Sequence, residues 1–392
     1  MKNLLQLLED FRSRFGSDAT IYRAPGRVNL IGEHTDYNDG FVMPAAIEFY
    51  CWVAAAPRAD RKLVIHSENY NETVEANLES IVARGNRHWA NYPLGVAHAL
   101  QGAGKRLKGA NLLIHGEVPL GAGLSSSAAI EVAVGFALLE QSGLPVDRGE
   151  LALLCQRAEN EFVRARVGIM DQFVSCHGRA EHALVLDCRS LEYKLVKLPA
   201  RIQLMICNTM VKHEIGGGEY NRRRAECEEG VRKMQTVLPE IRALRDVTIE
   251  QLEKNRGLLS PKVFSRCNHV VTENDRVQSA VRAFESDDIR ALGPLLAESH
   301  RSLRDDYEVS CKELDTMVEI ATAQLGVIGA RMTGGGFGGC TINLVEAGAA
   351  EDFKRNVATE YLSRTGLHPE IYVSASSDGV RQVEAGSDRA AS

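Results

Sequence analysis

The stretch from Gly109 to Gly143 constrains the fold of this chain more than any other. "GANLLIHGEVP" reads as a strand that stops at Pro119, and "LGAGLSSSAAIEVAVGFALLEQSG" reads as a glycine-rich turn running into a helix. Strand, turn and helix in that order point to an α/β unit whose helix begins beside a strand end. Gly121 and Gly123 let the backbone turn tightly and approach a ligand closely. After Leu124, the residues Ser125, Ser126 and Ser127 sit at the helix start, where orphan N–H groups and the helix dipole attract anions. Two readings fit this loop equally: a phosphate cradle, or a serine N-cap on an ordinary helix. It is not a Walker A loop, which needs a lysine, nor a dinucleotide fingerprint, since Ser126 stands where the last glycine would be.

Two other clusters carry chemistry. "RMTGGGFGGC", Arg331 to Cys340, lies between strand-like runs and holds five glycines in six positions. A tight hairpin needs one or two. The excess fits a backbone passing close to a ligand or to another loop; a flexible turn is the alternative. In "VGIMDQF", Asp171 follows an apolar stretch, which suits a partly desolvated general base, but from this segment alone an N-cap or surface aspartate is the better reading. "GRVNLIGEHTDYNDG" crowds hydrogen-bonding groups into one turn after the apolar run Val28–Ile31. A surface loop or a pocket for a hydroxyl-rich molecule would explain it. "NRRRAECEE" allows Arg222–Glu226 and Arg224–Glu228 pairs at helical spacing and reads as a solvated helix face.

Length and charge set the frame. A chain of 392 residues favours two domains, and a formal net charge of −6 argues against nucleic-acid binding. Nine scattered cysteines with no CxxC pair fit reduced thiols in a cytoplasmic protein. No run is long enough to cross a bilayer. Leu4, Leu7, Leu8, Phe11 and Phe15 mark one face of a first helix, and further helices are expected near 147–163 and through most of 217–325. "ATIYRAPG" reads as a strand ending at Pro25-Gly26, "HALVLDCRSLEYKLVKL" as a hairpin, and the tail "EAGSDRAAS" as frayed. The pattern changes near Pro199, so a mixed α/β domain is expected at 1–198. A second, with a four-stranded sheet and helices packed on it, is expected at 199–392.

Taken together, in this order and at these separations, the three clusters resemble the GHMP kinase family, and "GRVNLIGEHTDYNDG" resembles the galactokinase signature within it. The resemblance runs from "YRAPGRVNLIGEHTDYN" to "SASSDG". It implies an α/β (α+β) GHMP kinase fold of two domains, the second ferredoxin-like, with the active site in the cleft between them. It implies transfer of the ATP γ-phosphoryl group to the C1 hydroxyl of galactose, with Mg²⁺, by a cytoplasmic monomer that needs no nucleic acid or membrane. Matched residue by residue, Asp171 is the base and Arg27 the cation beside it. Glu33, His34, Asp36, Gly168 and Tyr220 are sugar contacts. The loop Gly121, Gly123, Leu124, Ser125, Ser126 and Ser127 holds the triphosphate, and Trp89 lies near adenine. Ser127 and Glu159 are associated with magnesium. Three positions depart from the common family pattern: Pro93-Leu94 for Val-Lys, Val167 for Cys, and Asp39 for Gly. A sugar- and ATP-binding regulator on the same fold is the alternative, as is a kinase for a related sugar such as N-acetylgalactosamine or arabinose. The presence of Arg27, Asp171, Ser127 and Glu159 favours an enzyme over a sensor.

Overall fold

The computed structural model describes residues 4–85, 88–211 and 218–384. The expectation of a frayed tail therefore falls almost wholly outside the described residues. Helix α1 (Leu4–Phe15) packs Leu7 and Phe11 against Ile21, Tyr50 and Trp52. Strand β1 (Thr20–Asn29) does not end at Pro25-Gly26 as its sequence suggests. Its pairing with β3 slips between Pro25 and Arg27, and this irregularity accommodates a residue with no N–H to donate. The Arg27 N–H bonds the Leu124 carbonyl at 3.0 Å, which ties the bulge to the glycine-serine loop.

Among the described residues thirteen strands form three sheets. After β1 come β2 (Phe41–Val42), β3 (Pro44–Pro57), β4 (Lys62–Ser67), β5 (Glu72–Asn77) and β6 (Ala110–Gly116). Next are β7 (His182–Asp187), β8 (Tyr193–Lys197), β9 (Ile202–Asn208), β10 (Val327–Thr333), β11 (Cys340–Glu346), β12 (Glu370–Ser374) and β13 (Arg381–Val383). The first sheet has the order β13-β1-β3-β6-β4-β5, the second β10-β11-β9-β12, and the third, with the expected hairpin, β2-β7-β8. Among the described residues only β4 and β6 pair in parallel. The edge strand β5 escaped sequence reading because "ETVEAN" buries only Val74. The terminal strand β13 returns the chain to β1, so the last segment belongs to the first sheet.

Helices α2 (Asn91–Gly102), α3 (Ser126–Gln141), α4 (Arg148–Arg157) and α5 (Met170–His177) cover the first sheet. α3 is buried almost all round because it lies between β1 and β3 on one side and α2, α4 and α5 on the other. The expected helix over 147–163 is two pieces: α4 gives way at Ala158–Val163 to a π-helical turn. Between β9 and β10 the chain is helical, as expected: α6 (Glu219–Met234), α7 (Ile249–Lys254), α8 (Pro261–Glu285), α9 (Leu292–Asp305) and α10 (Lys312–Thr322). With α11 (Ala350–Thr365), α10 backs the second sheet through Met317, Phe353 and Val357. The main core is continuous from Val28 and Ile31 through Leu138 to Leu204, Ile342 and Leu344, so both large sheets share it. Among the described residues no helix is long and apolar enough to cross a membrane.

Candidate active site

The two glycine clusters meet. Ser125 opens α3 in the left-handed region, φ 61°, and its side chain caps no helix N–H. Its hydroxyl donates to Asp171 Oδ2 instead, so the N-cap reading does not describe this loop. A Cβ on Gly334 would stand 2.7 Å from the Gly123 carbonyl, and one on Gly339 would stand 2.9 Å from the Ala122 carbonyl. The excess glycine therefore reflects one backbone lying directly on another. The hairpin between β10 and β11 forms a seam with the loop before α3.

Beneath that seam lies an ion pair. Arg27 donates from Nε to Asp171 Oδ1 at 2.8 Å and from Nη2 to Oδ2 at 2.7 Å, while Nη1 bonds the Gly123 carbonyl at 2.6 Å. The arginine side chain is 6% exposed and the aspartate 25%, so a buried cation grips a carboxylate that is still partly open. Burial lowers the proton affinity of Arg27, but Asp171 and Glu33 outweigh it and the net shift is upward. Asp171 occupies the first turn of α5, where the helix dipole favours an anion.

The turn after β1 is held from several sides. His34 and Asp39 take left-handed conformations, φ 63° and 58°. The Asn38 amide donates to the His34 carbonyl at 2.9 Å. Glu33 is buried; its Oε1 accepts the Gly334 N–H at 2.7 Å and lies 3.5 Å from Arg331 Nη2. Burial pushes its pKa up, against the pull of Arg331 and Arg27. The Asp36 carboxylate accepts the Tyr37 N–H at 3.0 Å and is raised to about 7 by burial, then by Asp171 and Glu33. Gly168 lies against it: a Cβ there would be 1.8 Å from Asp36 Oδ2. The His34 ring sits among Tyr307, Tyr220 and Tyr37, with centroids 4.8, 5.5 and 5.9 Å away. Asp39, one of the departures, pairs with Arg189 at 3.1 Å.

Helix α8 supplies groups that sequence reading missed. His269 Nε2 lies 3.1 Å from the Glu33 carbonyl, Glu273 Oε1 accepts the Gly32 N–H at 2.9 Å, and Asn274 Oδ1 accepts the Phe41 N–H at 2.9 Å. All three side chains are buried. The signal was available in "HVVTENDR": polar residues at i, i+4 and i+5 on an otherwise apolar helix face. Arg223 is a correction of the same kind. Arg222 and Arg224 make the expected pairs with Glu226 and Glu228, at 3.6 and 3.2 Å. Arg223 between them is buried, and its Nε donates to the Tyr307 carbonyl at 2.7 Å.

Glu159 stands on the π-helical turn, buried, with Oε2 accepting from Gln172 Nε2 at 2.7 Å. The same amide nitrogen reaches Glu131 Oε2 at 3.0 Å. Burial and then Asp171 raise Glu159 to about 7, while a hydrogen bond from Ser127 pulls it down. Ser127 and Glu159 are thus neighbours across the start of α3. Among the described residues no three His, Cys, Asp or Glu side chains are grouped to hold a metal by themselves. Trp89 is tied to the edge strand β5, its Nε1 donating to Glu72 Oε2 at 2.6 Å and its ring stacking on Tyr70 at 5.7 Å.

Comparison with known proteins fits this geometry. The family models for the GHMP kinases N terminal domain and the GHMP kinases C terminal match residues 91–179 and 280–363. They define the class as an ATP-dependent kinase of the GHMP fold. A third model, the galactokinase galactose-binding signature, matches residues 9–57. The galactokinase of Roseiflexus sp. (strain RS-1) is 46% identical over 379 residues, 96% of this chain and 97% of that protein. The galactokinase of Chloroflexus aggregans is 47% identical over 388 residues, 98% of this chain and 99% of that one. The chain belongs to the galactokinase family, and it is an ATP-dependent sugar kinase. The crystal structure of Lactococcus lactis galactokinase complexed with galactose superposes with a TM-score of 0.94 at 39% identity, covering 97% of this chain and all of that one. The Methanococcus jannaschii mevalonate kinase shares the fold, with a TM-score of 0.63 at 18% identity over 93% of this chain and all of that one.

Proposed function

We propose that the chain transfers the γ-phosphoryl group of ATP to the C1 hydroxyl of D-galactose, giving galactose 1-phosphate and ADP. The bidentate Arg27–Asp171 pair carries this reading. Phosphoryl transfer needs an oriented hydroxyl, a place for its proton and positive charge near the transferring group. Asp171 supplies the acceptor for the C1 proton, and Arg27 keeps that carboxylate oriented while stabilising charge as it develops. The C1 oxygen then bonds phosphorus as the bond from phosphorus to the ADP oxygen breaks.

Glu33, His34, Asp36, Gly168 and Tyr220 form the sugar side of this site. The nucleotide side is Gly121, Gly123, Leu124 and Ser125 to Ser127, with Trp89 toward the adenine. The loop carries no lysine, so backbone N–H groups meet the phosphates. Ser127 and Glu159 fit a magnesium ion: a buried carboxylate lifted to about 7 beside a second carboxylate is a group that a cation would return to its ionised form. Magnesium commonly takes one or two protein ligands and completes its shell with phosphate and water. When bound, it neutralises phosphate charge. In this reading residues 1–198 and 199–392 are the two lobes, with the terminal strand β13 crossing back to the first, and the seam of glycines joins them.

An ATP-consumption assay across free sugars tests the proposal. Glucose differs from galactose only in its equatorial C4 hydroxyl. In the same pose it would leave polar groups of the turn desolvated and unpaired, at about 1–3 kcal/mol each. Two such groups give discrimination on the order of 10²–10⁴ in kcat/KM. Comparable kcat/KM for the two sugars would sink the proposal.

A further inference from the structure

The sugar turn has a support that no motif marks. Tyr307, just beyond α9, is fully buried. Its hydroxyl lies 2.8 Å from the Tyr37 hydroxyl and 3.2 Å from Cys227 Sγ. The Tyr37 hydroxyl lies 2.8 Å from His34 Nδ1. Cys227, Tyr307, Tyr37 and His34 thus form one hydrogen-bonded chain ending on the imidazole. The backbone beside Tyr307 reaches two more parts of the site. The Tyr307 and Glu308 carbonyls accept from Arg223 Nε and Nη2, each at 2.7 Å, one turn along α6 from Tyr220. The Val309 carbonyl accepts the Phe337 N–H, inside the second glycine cluster, at 2.6 Å. Three consecutive residues therefore hold the signature turn, the Tyr220 helix and the glycine hairpin together.

The chain admits two proton orders. Each hydroxyl carries one proton, and a neutral imidazole has one donor and one acceptor nitrogen. Burial, followed by His269 and Arg223, keeps the His34 ring neutral. The Gly335 backbone favours a proton on the ring, although among the described residues Nε2 has no hydrogen-bond partner. The Cys227 thiol keeps its proton, since burial pushes it up to about 11. Protons running inward along the chain would leave Nδ1 as the acceptor and Nε2 protonated, whereas protons running outward would put the proton on Nδ1; either order fixes one tautomer.

We propose that Tyr307 is a positioning residue of the sugar site, holding the His34 ring through Tyr37 in one orientation and one tautomer. The proposal rests on the reading of the turn as the galactose site. Tyr307→Phe removes only the hydroxyl. Loss of one such hydrogen bond should raise the KM for galactose roughly three- to tenfold, with the KM for ATP within about twofold of the parent on the same scale. A purely structural role would not move the second readout, the tautomer of His34 seen by NMR with ¹⁵N-labelled histidine. The parent should show a single neutral tautomer and Tyr307→Phe a mixture. Tyr37→Phe should reproduce both effects, and the double variant should be no worse than Tyr37→Phe alone, because the two residues act in one chain. A single tautomer with parental galactose KM in Tyr307→Phe would overturn the proposal, as would additive effects in the double variant. Should Tyr307→Phe fail to fold, Tyr37→Phe decides by the same spectrum. If galactose is not the substrate, the parent consumes no ATP with it, while the NMR comparison still reports on the chain.

Discussion

Replacing Gly168 with alanine tests the proposed sugar side of the site. The backbone at 168 is outside the left-handed region, so the new methyl brings no conformational strain. What it brings is a collision: the added carbon would stand 1.8 Å from Asp36 Oδ2 and 2.1 Å from Cγ. Ordinary contact begins near 3.4 Å. The Asp36 carboxylate must therefore move by more than 1 Å, since the gap to be opened is the difference between 1.8 and 3.4 Å. A side chain as short as aspartate can do this only by leaving its rotamer, and with it the Tyr37 N–H. A misplacement of that size at a substrate-orienting group costs on the order of 10² in rate. We expect kcat/KM for galactose to fall by about that factor. The KM for ATP should stay near the parent value, because the glycine-serine loop lies in a separate segment. Steady-state kinetics with each substrate varied in turn is the assay, with a melting curve as the folding control. A folded Gly168→Ala protein with parental galactose kinetics would refute the assignment of Asp36 to the sugar.

Three further outcomes are expected. Asp171→Asn should lower kcat by roughly 10²–10⁴ while galactose and ATP still bind, measured by single-turnover kinetics and calorimetry; kcat within a few-fold of the parent removes Asp171 from the chemistry. Gly334→Ala should destabilise the protein by about 1–3 kcal/mol in urea unfolding, because φ is 84° there and the Cβ would meet the Gly123 carbonyl at 2.7 Å; an unchanged midpoint would mean the seam can open freely. Asp36, raised from 3.8 to about 7, keeps a proton in the folded protein that the unfolded chain has already released. Its contribution to stability is therefore present at low pH and lost as pH rises from about 4 to about 7. The Tm of Asp36→Asn relative to the parent should accordingly climb over that window, and a flat difference would contradict the shift.

Much of this was legible in the sequence, for a specific reason. The glycine-serine loop, the glycine hairpin and the "GEHTDYN" turn each concentrate an unusual composition in a short window. Asp171 was legible only through resemblance, since its own segment reads better as an N-cap or surface aspartate. The turn from α4 into a π-helix was not legible, because the apolar spacing continues unbroken while the turn widens. Nor were Glu273, Asn274 and Tyr307 singled out: the polar positions of "HVVTENDR" mark a polar stripe on α8, but each of these residues acts across more than 230 positions of chain, and local patterning does not say which partner it meets. The bulge at Pro25 was misread because proline usually ends a strand, and here the strand continues past it.

The bond between Gly334 and Glu33 spans 301 positions. At roughly 5–20 residues per second, a ribosome finishes the Glu33 turn some 15–60 seconds before it makes the residues that complete it. Until then Glu33 lacks its Gly334 and Arg331 partners, and β1 lacks β13. The first sheet therefore leaves the ribosome with an acidic turn beside it that must stay solvated and with an uncovered edge. Catalytic competence arrives late in synthesis, as the last strands close over what was made first.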